Sequence, residues 1–320
     1  MTERFLPFDM ARAICVVYII GIWHLPSYLS PDYSFTGTTL IVMHRITEIV
    51  LGTFTFLSGY FLGKYQFSNR YDIKYFFENR FKRFYILLLI AALSYLLLKW
   101  ISPIQLLQIL TGTNLLFNMS APTLWYFSMI ILFYIITPIL QYQYKMKNMR
   151  EVIFCCLFIC VFILSQELTI DSRLQLYLPC YYLGLITPVS FIQRLKKNNL
   201  ILWSLGSLIV AVVVFQYVHI DFFKIIIVVA GIYLLLSSCM QLYHQKIKGL
   251  VSFLAMASMV AYLSHRQVFS VGKALCERLL GESYIPLFFS ISLLALTFVI
   301  SYYIQIVYNY ISKHYIWKRK

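Results

Sequence analysis

The 320-residue chain is 61% hydrophobic and only 12% charged, with a mean hydropathy of +0.76, so its charged fraction is about half that of a soluble protein. No soluble fold of this length could hide so much apolar surface, and the composition therefore predicts a bilayer as the solvent. The net charge of +15 would suggest nucleic acid in a soluble protein. We expect no nucleic-acid partner here, because no basic segment forms a folded module and cytoplasmic loops of membrane proteins collect Lys and Arg.

Ten apolar stretches are long enough, or nearly so, to cross about 30 Å of hydrocarbon at about 1.5 Å per residue. They lie near residues 8–28, 40–62, 82–100, 122–141, 151–167, 173–192, 200–218, 221–241, 249–271 and 285–311. If the N-terminus is cytoplasmic, twenty of the 27 Lys and Arg residues fall in cytoplasmic segments, as the positive-inside rule requires. The sequence therefore predicts one all-α transmembrane bundle over residues 1–320, of about ten helices, with both termini in the cytoplasm.

The first predicted helix carries three ionisable groups. Asp9 and Arg12 lie three residues apart near its cytoplasmic end, so they share a face and can form an ion pair; such a pair could serve a site or only orient the helix. His24 follows an apolar run and lies about 18 Å further along the axis. Because imidazole exchanges protons near neutral pH, His24 is a candidate general base. The alternative is a histidine beside Trp23 at the outer interface, bonded to water or headgroups.

The second predicted helix carries an ionisable cluster at its outer end. Arg45 and Glu48 are three residues apart, and His44 and Glu48 are four apart, so both pairs share a helix face. This cluster could anchor headgroups, or it could form a polar wall for a substrate. Further along, Ser58 and Gly59 would permit either a close helix contact or an approach of the backbone to a ligand.

Two arginines end the charged linker before the third predicted helix. Arg80 and Arg83 are three residues apart, and guanidinium forks suit phosphate oxygens. Anionic-lipid binding is the simpler alternative for arginines at the start of a membrane helix.

Among the cysteines, Cys156 and Cys160 share a helix face, but small apolar residues in a helix explain them more simply than a metal or redox pair does. We therefore predict no metal site.

Together these segments resemble the acyltransferase-3 family, bacterial membrane O-acyltransferases that modify surface polysaccharides and lipid-linked sugars. The order of the motifs along nearly the whole chain carries the resemblance, since no single motif is specific. The matching segments are Asp9 to Arg12, His24, the Ser58-Gly59-Tyr60 segment, Arg80 to Arg83, Leu124 to Pro138, Leu178 to Gly184, and Tyr262 to His265.

One spacing departs from the family's pattern. The family usually has ten residues between the first-helix Arg or Lys and the His, whereas eleven separate Arg12 from His24. On an ideal α-helix the family's spacing places the His on about the same face as the Arg or Lys. One additional residue rotates the His by about 100° around the helix axis. Either a π-bulge restores the geometry, or Trp23 occupies the expected position and His24 does something else.

The resemblance implies an enzyme with no bound cofactor that uses an acyl-coenzyme A, with acetyl-coenzyme A as the expected donor. The phosphates of coenzyme A would bind Arg80 and Arg83 from the cytoplasm. His24 would act as general base towards an acceptor hydroxyl, while Asp9 and Arg12 fix the helix and its local field. Transient acylation of His24 is the alternative.

The acceptor implied by the resemblance is a sugar hydroxyl of a cell-surface glycan or lipid-linked precursor, outside the bacterial cytoplasmic membrane. Arg45, Glu48 and His265, all placed towards the outer ends of their helices, are the candidate acceptor-binding residues. A transporter or exporter of a polysaccharide or small solute could use the same polar groups. The sequence shows no inverted repeat, which counts mildly against that alternative.

Overall fold

The computed structural model describes residues 5–29, 33–117, 121–144, 146, 148–167, 170–195, 205–206, 221–281 and 284–313. Within these residues every regular element is a helix, and the one β-bridge joins Phe67 and Tyr142 outside any strand. The predicted all-α fold class is therefore confirmed. The side chain of Arg83 lies outside the described atoms.

The described helices fall into two compact units, and α2 contributes to both. The first unit contains α1 (Leu6–Val17) with its helical continuation to Tyr28, the first part of α2 (Gly37–Leu62), most of α10 (Asp221–Leu242), α11 (Lys248–Leu280) and α12 (Leu287–Ile311). The second contains the end of α2, α3 (Arg70–Phe76), α4 (Lys82–Leu97), α5 (Pro103–Thr111), α6 (Trp125–Leu140), α7 (Met149–Gln166), α8 (Ser172–Ile186) and most of α9 (Val189–Leu195).

Six helical stretches of the described chain are long and apolar enough to cross a membrane. They are Leu6–Tyr28, Gly37–Leu62, Met149–Gln166, Phe223–Leu242, Gln245–Leu280 and Leu287–Ile311. The protein is therefore a multi-pass membrane protein. The predicted helix over 200–218 lies outside the described residues except for 205 and 206, so the count of ten, the orientation and the single domain stay predictions.

Two helix ends differ from the sequence-based expectation. The stretch predicted over 173–192 is split, because Pro188 forces Thr187 into an extended conformation (φ −70°, ψ 116°) and so ends α8. The stretch predicted over 249–271 continues to Leu280 as a helix of 33 residues, about 50 Å long. Charged residues after position 271 interrupt its apolar pattern without ending the helix, which stops at the left-handed Gly281 (φ 71°).

In the second unit, α2 and α8 contact each other backbone to backbone. A Cβ atom at Gly59 would collide with the carbonyl oxygen of Tyr181, and one at Gly184 would collide with the carbonyl oxygen of Phe56. Only glycine permits so close an approach, which is a common way for membrane helices to pack. Of the two interpretations of the Ser58-Gly59 segment, the structure therefore has the close helix contact.

Candidate active site

The first membrane helix changes its winding before it reaches His24. After α1, the segment Tyr18–His24 forms a π-helix, in which the amide of Leu25 donates to the carbonyl of Ile20, five residues earlier. A π-turn accommodates one more residue than an α-turn does. The structure therefore has the bulge that the eleven residues between Arg12 and His24 required.

His24 forms a direct hydrogen bond with a histidine of α11. Its Nδ1 lies 2.7 Å from Nε2 of His265, and the two ring planes differ by only 7° with centroids 4.7 Å apart. The other ring nitrogen of His265, Nδ1, lies 2.8 Å from the carbonyl oxygen of Tyr262 and 3.2 Å from that of Ala261. His265 is fully buried, whereas His24 is only partly buried. No spacing or motif in the sequence indicates this contact between residues 241 positions apart.

Arg12 contacts the same face of α11, two turns nearer the start of that helix. Its Nη1 lies 3.7 Å from Oδ1 of Asp9, as the spacing predicts, and its Nη2 donates to the hydroxyl of Ser258 at 3.2 Å. Ser258 and His265 are seven residues apart, which is close to two full turns. Arg12 and His24 are thus both held against one stripe of α11. Sequence reasoning missed Ser258, although its spacing from His265 could have indicated it.

An apolar shell lies beside the histidine pair. The ring of Phe269 lies edge-on to His265 with centroids 5.9 Å apart, and small or aliphatic side chains fill the rest of this core. Apolar surroundings of this kind strengthen nearby polar contacts. The buried members of the shell are Val16, Ile20, Leu25, Ala257, Ala261, Phe269, Cys276, Ile285 and Phe298.

The ionisable cluster of α2 forms as the spacing predicts. Nη1 of Arg45 lies 2.6 Å from Oε2 of Glu48, and Nδ1 of His44 lies 3.7 Å from Oε1 of the same carboxylate. The Glu48 side chain is only 12% exposed, so a largely buried carboxylate lies between the basic side chains of His44 and Arg45. Trp23 packs edge-on against His44, with ring centroids 5.5 Å apart. It therefore faces α2 and does not replace His24 against α11.

In the second unit, Arg80 lies within another π-helix, Phe77–Phe81, which leads into α4. Its Nε donates to the phenol oxygen of Tyr65 at 2.7 Å, and its guanidinium carbon lies 5.3 Å from the centroid of that ring. The fork is therefore held from one edge, and its terminal amino groups have no other partner among the described residues. Further rings pack around this segment: Phe67, Phe76, Phe77, Phe81, Phe84, Tyr85 and Tyr134.

A capping box starts the helix that carries this segment. The side chain of Asn69 accepts from the amides of Tyr71 and Asp72, and Asp72 accepts in return from the amides of Ser68 and Asn69. Hydrogen bonds from the backbone and hydroxyl of Ser68 hold the pKa of the Asp72 carboxyl below its ordinary value. The charged linker is therefore an ordered structure.

The predicted site residues thus form three groups. Arg12, which pairs with Asp9, and His24 both contact the face of α11 that carries His265. Arg45 with Glu48 forms a separate ion pair in the same unit. Arg80 belongs to the second unit.

This fold and the hydrogen-bonded histidine pair define a class of protein: multi-pass helical membrane proteins with a polar site inside the bundle. A family model described as "Acyltransferase domain" matches residues 6–306 of the chain, nearly its whole length. The chain belongs to this family, acyltransferase-3, and is a membrane acyltransferase; the resemblance drawn from its motifs is confirmed. Neither the curated proteins nor the solved structures gave a significant match.

Proposed function

We propose that this protein moves an acetyl group from cytoplasmic acetyl-coenzyme A to a hydroxyl of an extracytoplasmic glycan or lipid-linked sugar in the bacterial cytoplasmic membrane. The observation that carries the proposal is the position of His24. It is partly exposed, backed by a buried hydrogen-bond partner and aligned with Arg12. A general base needs this combination of access to substrate and fixed orientation.

In the proposed reaction, His24 takes the proton of the acceptor hydroxyl as that oxygen attacks the thioester carbonyl carbon. The new C–O bond forms and the C–S bond breaks. The coenzyme A thiolate then takes the proton from His24 and leaves as the free thiol. Asp9 and Arg12 hold the first helix against α11, since Arg12 bonds both Asp9 and Ser258.

For the donor, we propose that Arg80 binds coenzyme A phosphate oxygens. Tyr65 holds only the Nε edge of its guanidinium, and the terminal amino groups can still form charge-assisted hydrogen bonds to phosphate. Arg83 follows three residues later in the chain and is proposed to share this role.

For the acceptor, we propose the cluster of Arg45 and Glu48. A carboxylate that is 12% exposed can accept hydrogen bonds from sugar hydroxyls, and the hydrogen bond from Arg45 fixes its orientation. Hydroxyl recognition of this kind orients an acceptor without taking part in the chemistry.

The test uses purified protein in liposomes with acetyl-coenzyme A that carries a labelled acetyl group. We expect His24→Ala to lower turnover by about 10²- to 10⁴-fold, the usual contribution of a general base. His244→Ala is the matched control, because this histidine is exposed and lies between helices. Normal turnover in His24→Ala would remove the proposed base, and solute flux without acetyl transfer would favour a transporter.

A further inference from the structure

We propose that His265 is a positioning residue that fixes the tautomer of His24, so that Nε2 of His24 is the atom that takes the acceptor proton. The catalytic consequence rests on the proposed function, but the tautomer itself does not. This role differs from acceptor binding, the role that the sequence suggested for His265.

The proton on His265 is located by its backbone partners. The carbonyl oxygens of Tyr262 and Ala261 can only accept, so Nδ1 of His265, at 2.8 and 3.2 Å, must carry a hydrogen. A neutral imidazole has only one N–H. Nε2 of His265 therefore has a lone pair and accepts a hydrogen bond.

The proton on His24 follows from this assignment. At 2.7 Å from a lone pair, Nδ1 of His24 must be the donor. In neutral His24 the remaining nitrogen, Nε2, then carries no hydrogen and is free to act as a base. The opposite assignment would require an imidazolium at His265, next in sequence to the cationic Arg266 and inside an apolar core, where a charge without a partner is costly.

Burial separates the two roles. His265 is 0% exposed, whereas His24 is partly exposed. An acceptor can therefore reach the His24 ring but not the His265 ring. The planes of the two imidazoles differ by 7°, and the 2.7 Å between Nδ1 of His24 and Nε2 of His265 is a short hydrogen-bond distance. Phe269 and the carbonyls of α11 fix the His265 ring in turn. His265 thus fixes the tautomer and the orientation of His24, as the carboxylate of a catalytic triad does for its histidine.

The direct test is ¹⁵N NMR of histidine-labelled protein in nanodiscs, with the His24 signals assigned by their loss in His24→Gln. We expect a protonated Nδ1 and an unprotonated Nε2 at His24 in the unmodified protein. In His265→Met, which keeps the volume but replaces the acceptor nitrogen by a thioether sulfur that accepts only weakly, the proton of His24 should move to Nε2. An Nε2–H tautomer in the unmodified protein, or an unchanged tautomer in His265→Met, would overturn the proposal whether or not the protein is active.

The kinetic test compares His265→Gln, His265→Asn and His265→Met. A Gln carbonyl oxygen can reach the position of Nε2 and still accept from His24, whereas Asn reaches only the position of Nδ1. We therefore expect kcat to fall least in His265→Gln and by about 10²-fold or more in the other two, with KM for both substrates nearly unchanged. His244→Gln is the matched control.

Equal losses in all three His265 variants, or losses confined to KM for the acceptor, would overturn the positioning role and favour substrate contact. Inactivity of the unmodified protein with acetyl-coenzyme A would count against the proposed function and leave the NMR result standing. The two failures are therefore distinguishable.

Discussion

Two π-helical segments of the chain carry candidate functional side chains, and they hold them differently. At Tyr18–His24 the irregular turn delivers His24 to a buried partner on another helix, beside an apolar shell. At Phe77–Phe81 the same kind of turn carries Arg80, which is half-buried and held by one phenol. The same backbone irregularity therefore positions the side chains of two different proposed roles. The proposed base must be oriented to within about 0.5 Å, whereas the proposed phosphate ligand needs a less exact orientation.

The largest expected effect comes from changing the length of the first π-turn. Inserting one alanine after Ile22 should turn His24 about 100° away from His265 and lower turnover as much as loss of the histidine does. Deleting Ile22, which is 44% exposed, should instead restore an ordinary α-helix with the family's spacing. We expect the deletion to keep turnover within about tenfold of the unmodified protein, a difference of about 1.4 kcal/mol in barrier height.

The measurement for both variants is labelled acetyl transfer in liposomes, at matched protein levels and with thermal unfolding as a check on folding. Full activity of the insertion variant would show that the register of this turn does not matter, and it would contradict the alignment argument.

The next effect concerns the contact that anchors α2 in the second unit. Gly184→Val should lower thermal stability strongly, because its side chain would collide with the carbonyl oxygen of Phe56; overpacking of this kind costs about 1–3 kcal/mol or more. Gly249→Ala is the control, since no atom lies within 4 Å of its added Cβ and alanine favours a helix. Thermal unfolding in detergent measures both, and equal melting temperatures would refute the close contact.

A smaller effect is expected at the second π-segment. Tyr65→Phe removes the acceptor for Nε of Arg80, a hydrogen bond to a charged group worth about 1.5–3 kcal/mol but partly replaced by water at this half-buried site. We expect KM for acetyl-coenzyme A to rise about 3- to 10-fold with little change in kcat. Tyr71→Phe, at a residue that is 84% exposed, is the control. A fall in kcat at constant KM would place Tyr65 in the chemistry and not in donor binding.

The smallest effect lies in the capping box of the linker. Because folding lowers the pKa of Asp72, its contribution to linker stability is present above the ordinary aspartate pKa of about 3.9 and is lost as the pH falls through the lower, folded-state value. Hydrogen exchange of the amides of Ser68 and Asn69, which donate to the Asp72 carboxylate, should therefore lose protection at acidic pH. Asp72→Asn should remove this pH dependence; an unchanged pH dependence would assign it to another group.

Composition, the lengths of the apolar stretches and the order of the motifs were enough to predict the bilayer as solvent, the fold class and the family. Apolar stretches near bilayer length can be counted because each residue adds a fixed rise to a helix, and the motifs occur in the family's order along the chain. Local pairs were also predictable: Asp9 with Arg12 and Arg45 with Glu48 follow from helix spacing alone.

The direction in which His24 faces depends on tertiary packing. Spacing left a π-bulge and a displaced histidine as open alternatives, because the choice depends on which side chains the neighbouring helix presents. The structure has the bulge, and with it the contacts of Arg12 with Ser258 and of His24 with His265. Those partners lie more than 240 positions along the chain, so local sequence rules do not reach them, and packing of α11 against the first helix brings them together.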